Sequence, residues 1–112
     1  MKLEELRRQI IETKYLSWWI NPDEKKWNED GSIDILGSVF LAPNPEIQMF
    51  KLPVKFNFID DDFDCSFRGL ETLDNFPNVV TEDVYCDGNP GKFTEEDVRK
   101  ICKVSGNVYW KD

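Results

Sequence analysis

Apolar residues in this chain follow more than one period. Near the N-terminus, Leu3, Leu6, Ile10, Ile11, Tyr15 and Trp18 fall on about half of a helical wheel, which predicts an amphipathic helix over 3–19. Glu4 and Glu5 suit the positive end of its dipole, and Asn21-Pro22-Asp23 breaks it. The stretch from Trp27 to Ile33 reads as a hairpin around Asp30-Gly31. Ile33-Asp34-Ile35 and Val39-Phe40-Leu41 flank Gly37 and predict two short strands. Toward the other end, Thr94 is an N-cap with Asp97 three residues on, and Val98, Ile101 and Cys102 form the inward stripe of a second helix. Ser105-Gly106-Asn107 then turns into a last strand.

The middle of the chain repeats itself. Laid over each other at an offset of 21, Met49 meets Leu70, Leu52 meets Leu73, Ile59 meets Val80, Phe63 meets Val84 and Cys65 meets Cys86. Counted from Phe63, apolar residues stand at positions 1, 3, 8 and 11, the spacing L-x-L-x-x-N-x-L-x-x-L with Arg68 at the asparagine position. Val84 to Asn89 and Val39 to Asn44 repeat the start, and Val108-Tyr109-Trp110 begins a fourth. The starts at 39, 63, 84 and 108 give steps of 24, 21 and 24. Positions 1 and 3 of a strand face the same way, so stacked copies predict a parallel sheet whose odd positions fill one core.

Phe63-Asp64-Cys65-Ser66, Leu70-Glu71-Thr72-Leu73 and Phe76-Pro77 resemble the short leucine-rich-like repeats of tailed-phage and bacterial proteins, which read F-D-C-S-x-N-x-L-T-S-L-x-G-x-P. Asp30 to Ile35 with Gly37-Ser38-Val39 resembles the opening cap of such proteins, and Asn89 to Val98 their closing helix. The likeness spans about 28–110; Arg68 and Gly91 depart from it at positions 6 and 8. It implies a fold and a phage or bacterial source, and no catalytic residues. The expected architecture is a single α/β domain over 1–112, a small leucine-rich-repeat-like solenoid with a short parallel sheet. Within it lie an N-terminal helix (1–22), a hairpin cap (25–38), the repeats (39–91) and a C-terminal cap of helix and strand (92–112).

Composition narrows the function. The 112 residues carry 14 Lys and Arg against 22 Asp and Glu, a net charge of −8, with no histidine. A chain of this size can bury a modest core, and its four tryptophans, three tyrosines and eight phenylalanines exclude an acidic disordered tail. No basic block is present, so no direct nucleic-acid binding is expected; acidity suits a partner with a basic surface. No apolar run approaches the roughly 20 residues of a membrane span, and Met1-Lys2-Leu3-Glu4-Glu5 lacks the apolar core of a signal peptide. The odd count of three cysteines, Cys65, Cys86 and Cys102, points to reduced thiols and a cytoplasmic location, the bacterial host cytoplasm for a phage protein.

Candidate chemistry is sparse. Cys65 and Cys86 share position 3 and read as adjacent small core residues; without histidine or C-x-x-C, zinc is not expected. Asp60-Asp61-Asp62-Phe63-Asp64 reads as a solvated turn, with a weak cation site or a partner's lysines as alternatives. Gly88-Asn89-Pro90-Gly91-Lys92 has the wrong spacing for a phosphate loop, and Ser38 has no histidine to activate it. The expectation is therefore a non-enzyme with no catalytic, metal or cofactor-binding residues. The outward strand positions are more telling. Phe40, Asp64, Phe67, Tyr85, Asp87 and Tyr109 combine large aromatics with acids, the composition of a protein-binding face. Either that face is open and binds a protein, as an inhibitor or adaptor would, or the N-terminal helix or Trp18-Trp19 folds over it. Alternative roles are an acidic mimic that occupies a DNA- or RNA-binding protein, and a structural virion component.

Overall fold

Strands of two to four residues cannot hold themselves; here they are held by stacking on their neighbours. The structure, a computed structural model, describes residues 2–11, 24–41 and 49–111. It is mixed α/β. The described helices are α1 (Leu3–Ile11) and α2 (Glu95–Ile101). The described strands are β1 (Lys25–Trp27), β2 (Ile33–Ile35), β3 (Val39–Phe40), β4 (Phe56–Ile59), β5 (Phe63–Asp64), β6 (Val79–Val80), β7 (Val84–Tyr85), β8 (Lys103–Val104) and β9 (Val108–Tyr109). They form two sheets, ordered β1-β2-β4-β6-β8 and β3-β5-β7-β9, parallel throughout except for the antiparallel β1–β2 hairpin.

In the second sheet Val39, Phe63, Val84 and Val108 are register partners in turn, so the segments spaced 24, 21 and 24 apart in sequence are neighbouring rungs. The first sheet repeats those steps through Ile35, Ile59, Val80 and Val104. The two sheets alternate along the chain, joined by three-residue corners at 36–38, 60–62, 81–83 and 105–107. The sequence reading foresaw one parallel sheet and missed the other. Inward side chains from both sheets meet in one core, with Phe63 edge-on to Phe56 and to Phe76 at 5.3 Å each. Met49, Leu52, Leu70, Phe93 and Val98 close its remaining side.

The buried side of the rungs contains a polar anchor, Asn89. Asn89 Oδ1 accepts from the N–H groups of Arg68 and Leu70, both at 3.1 Å, and its Nδ2 donates to the carbonyls of Cys65 (3.0 Å) and Cys86 (3.2 Å). Both hydrogens and both oxygen lone pairs of that amide are engaged, which is why it can be buried. At the hairpin, Asp30 Oδ1 accepts from the backbone N–H (2.9 Å) and hydroxyl (2.6 Å) of Ser32, which holds its carboxyl below the usual range.

The ends depart from expectation. Helix α1 is described only to Ile11, and the rest of the predicted helix, with Trp18-Trp19, lies outside the described residues. Leu3, Leu6 and Ile10 are exposed, and Ile11 alone packs on the core, because α1 lies along the hairpin: Arg8 Nη2 donates to Asn28 O at 2.9 Å and its guanidinium sits 5.3 Å from the Trp27 ring. Val98 of α2 and its C-cap residue Cys102 turn inward; Ile101 is exposed, since so short a helix turns one narrow stripe inward. Trp110 occupies the position that the small thiols of Cys65 and Cys86 fill on earlier rungs, and its larger indole stands exposed.

Candidate functional site

Alternation along the second sheet turns Phe40, Asp64, Tyr85 and Tyr109 outward as one register row. Phe40 is 52% exposed and Tyr109 41%, while Asp64 and Tyr85 are half-buried. Tyr85 and Tyr109 stack with ring centroids 4.8 Å apart and planes 9° from parallel. The Tyr85 hydroxyl donates to Asp83 Oδ2 at 3.4 Å, and burial together with the Asp83 and Asp62 charges pushes its phenol above the ordinary value.

Phe67 flanks this row and is 65% exposed. Its φ is 55°, and Gly88, 21 residues on and one rung away, has φ 66°. The chain thus needs a left-handed residue at this place, and only one rung supplies glycine. A side chain at Gly88 would overlap the Phe67 ring, which lies across it. All six sequence-predicted residues therefore share one side of the molecule, around the outer face of the second sheet.

The acids on that side have structural work that the sequence reading missed. Ser38 Oγ accepts from Asp62 N–H (3.4 Å), Asp62 Oδ1 from Asp83 N–H (2.9 Å), and Asp83 Oδ1 from Asn107 N–H (2.8 Å). Each corner thus bonds the next one. A second row runs alongside: Ser66 Oγ accepts from Asp87 N–H at 3.2 Å and Asp87 Oδ1 from Lys111 N–H at 2.6 Å. Asp64 Oδ1 accepts from Ser66 N–H at 3.0 Å. The segment 60–64 is the expected turn into the strand, with Asp60 and Asp61 exposed, and Asp62 and Asp64 are hydrogen-bonded as well. The signal was present as a polar, oxygen-bearing residue recurring at 38, 62, 83 and 107 with the same steps as the strands.

Other chemistry is held in place or shut away. Cys65, Cys86 and Cys102 are free and buried; burial pushes the Cys65 thiol well above its ordinary value and those of Cys86 and Cys102 up to about 11. A groove of about 280 Å³ lies between α1 and the hairpin, with Arg7, Arg8, Trp27 and Lys55 in its walls. Lys55 Nζ donates to Phe76 O (2.5 Å) and Asn78 Oδ1 (3.0 Å), so it and Arg8 are tied to the chain. Among the described residues no three Cys, Asp or Glu side chains converge as metal ligands, and no helix is long and apolar enough to cross a membrane. No protein-family model, curated protein or solved structure matches the chain.

Proposed function

We propose that the chain is a short leucine-rich-like solenoid that binds another protein through the outer face of its second sheet, without catalysis. In this reading it is a phage or bacterial inhibitor or adaptor that covers a basic surface of a host protein in the bacterial cytoplasm. The observation that carries the reading is Phe67: a large, exposed aromatic held in left-handed backbone where the next rung has glycine. Such a residue costs folding free energy and buries little, which suits a contact residue better than a scaffold one. The stacked Tyr85–Tyr109 pair and exposed Phe40 extend the same patch.

The test is capture from bacterial lysate on immobilised protein, identification of what is bound, and affinity measurement with the purified pair. Phe67→Gly combined with Tyr85→Ala should abolish capture. Phe50→Ala, an exposed phenylalanine outside the predicted contact set, should leave it intact. A face variant that retains every partner would falsify the assignment.

A further inference from the structure

The outward row of the second sheet is an aromatic column with one ring missing. Tyr85 and Tyr109 stack at 4.8 Å, the rung spacing of a β-sheet. Phe40 lies two rungs from Tyr85, about 9.6 Å at that spacing. Asp64 is the register neighbour of both and stands between them. Its Oδ1 accepts from Ser66 N–H, and its other oxygen has no bond among the described residues. A gap of two rungs takes one planar group as the absent layer, and a half-buried carboxylate at its base selects a cation.

We propose that this gap reads an arginine side chain of the protein partner, with the guanidinium layered between Phe40 and Tyr85 and donating to the unbonded oxygen of Asp64. The proposal rests on the interaction-face reading above and names the chemistry that face selects. Arginine fits better than lysine because guanidinium is planar, stacks on aromatic rings and sheds water more readily than a compact ammonium. The neighbouring Asp62, Asp83 and Asp87 keep one oxygen each on a backbone N–H and supply a negative field around the slot. That field opposes an acidic or phosphorylated side chain.

The experiment titrates isotope-labelled protein with N-acetyl-arginine amide and follows backbone amide resonances. Parallel arms use N-acetyl-citrulline amide, which keeps the shape without the charge, and N-acetyl-lysine amide, which keeps the charge without the plane. Arginine should shift resonances confined to β3, β5 and β7, with weaker responses to the other two. Asp64→Asn retains the Oδ1 acceptor for Ser66 N–H and should weaken arginine binding roughly tenfold; Phe40→Ala, at an exposed position, should weaken it similarly. Phe50→Ala, at an exposed position outside the contact set, should have little effect. Equal shifts with citrulline, shifts spread over the surface, or indifference to Asp64→Asn would overturn the proposal. A partner released by the Phe67→Gly/Tyr85→Ala protein but held at full affinity by Asp64→Asn would sink the slot alone. A partner indifferent to both would remove the face as well.

Discussion

Phe67 and Gly88 hold the same left-handed place on adjacent rungs, so one is a natural control for the other. Replacing Phe67 by glycine relieves the steric cost of φ 55° but adds chain entropy to the unfolded state and gives up the ring's contact with Gly88. These effects oppose each other, and Phe67→Gly should fold within about 1 kcal/mol of the parent while losing its partner. The midpoint of urea unfolding checks this; a loss above about 3 kcal/mol would make Phe67 a packing residue. Asn89 behaves in the opposite way. Its amide meets two N–H groups and two carbonyls, and removing it leaves all four without that partner, three of the bonds being buried. Asn89→Ala should cost at least about 3 kcal/mol in the same measurement, without a direct effect on the outer face.

At the scale of elements, α2 is held at its start by a reciprocal pair: Thr94 Oγ1 accepts from Asp97 N–H at 3.2 Å and Asp97 Oδ2 from Thr94 N–H at 3.0 Å. Those bonds hold the Asp97 carboxyl below its ordinary value. Because the folded value is the lower one, its contribution to stability is fully present above about pH 4 and is lost as pH falls through the folded value. Thr94→Ala should cost about 1 kcal/mol at neutral pH and flatten that acid limb, read by denaturation at a series of pH values. The thiols work in the other direction. Cys86 and Cys102 keep their protons in the folded protein to about pH 11, whereas unfolded thiols ionise near 8.5, so stability should fall as pH rises from about 8.5 to 11. All three cysteines should resist alkylation in the native state and react once unfolded; rapid native labelling would contradict the burial. The elements differed in how plainly the sequence marked them. The hairpin at Asp30-Gly31 and the cap at Thr94 rest on local chemistry and were legible, as was the stacking register, because equal spacing of apolar residues is visible in one chain. The parallel run β2-β4-β6-β8 was not: strands of two to four residues are too short to show a period, and Ile59 over Val80 was legible only as a match, not as a strand. The corner residues were legible as a turn, but their hydrogen bonds were not, because the partners are backbone N–H groups that almost every position carries. The docking of α1 depends on Arg8 against Trp27 and Asn28, a long-range contact with no local pattern.

At the scale of the whole molecule, the net charge of −8 and the aromatic patch should act on different steps of association. Long-range attraction speeds encounter with a basic partner and is screened by salt, whereas desolvated aromatic contacts mainly set how slowly the complex separates. Asp62, Asp83 and Asp87 keep their charge but each holds one oxygen on a neighbouring rung's N–H, which leaves fewer oxygens to imitate a phosphate row. For the purified complex, raising salt from about 0.05 to 0.5 M should therefore slow association by roughly tenfold or more while changing the dissociation rate only about twofold. Surface-binding kinetics at several salt concentrations separate the two rates. A nucleic-acid mimic would behave differently, since its affinity would reside in many exposed charge pairs and its dissociation would accelerate steeply with salt. Phe67→Gly supplies the converse signature on the same instrument, with association nearly unchanged and dissociation accelerated, because it removes an aromatic contact without altering charge.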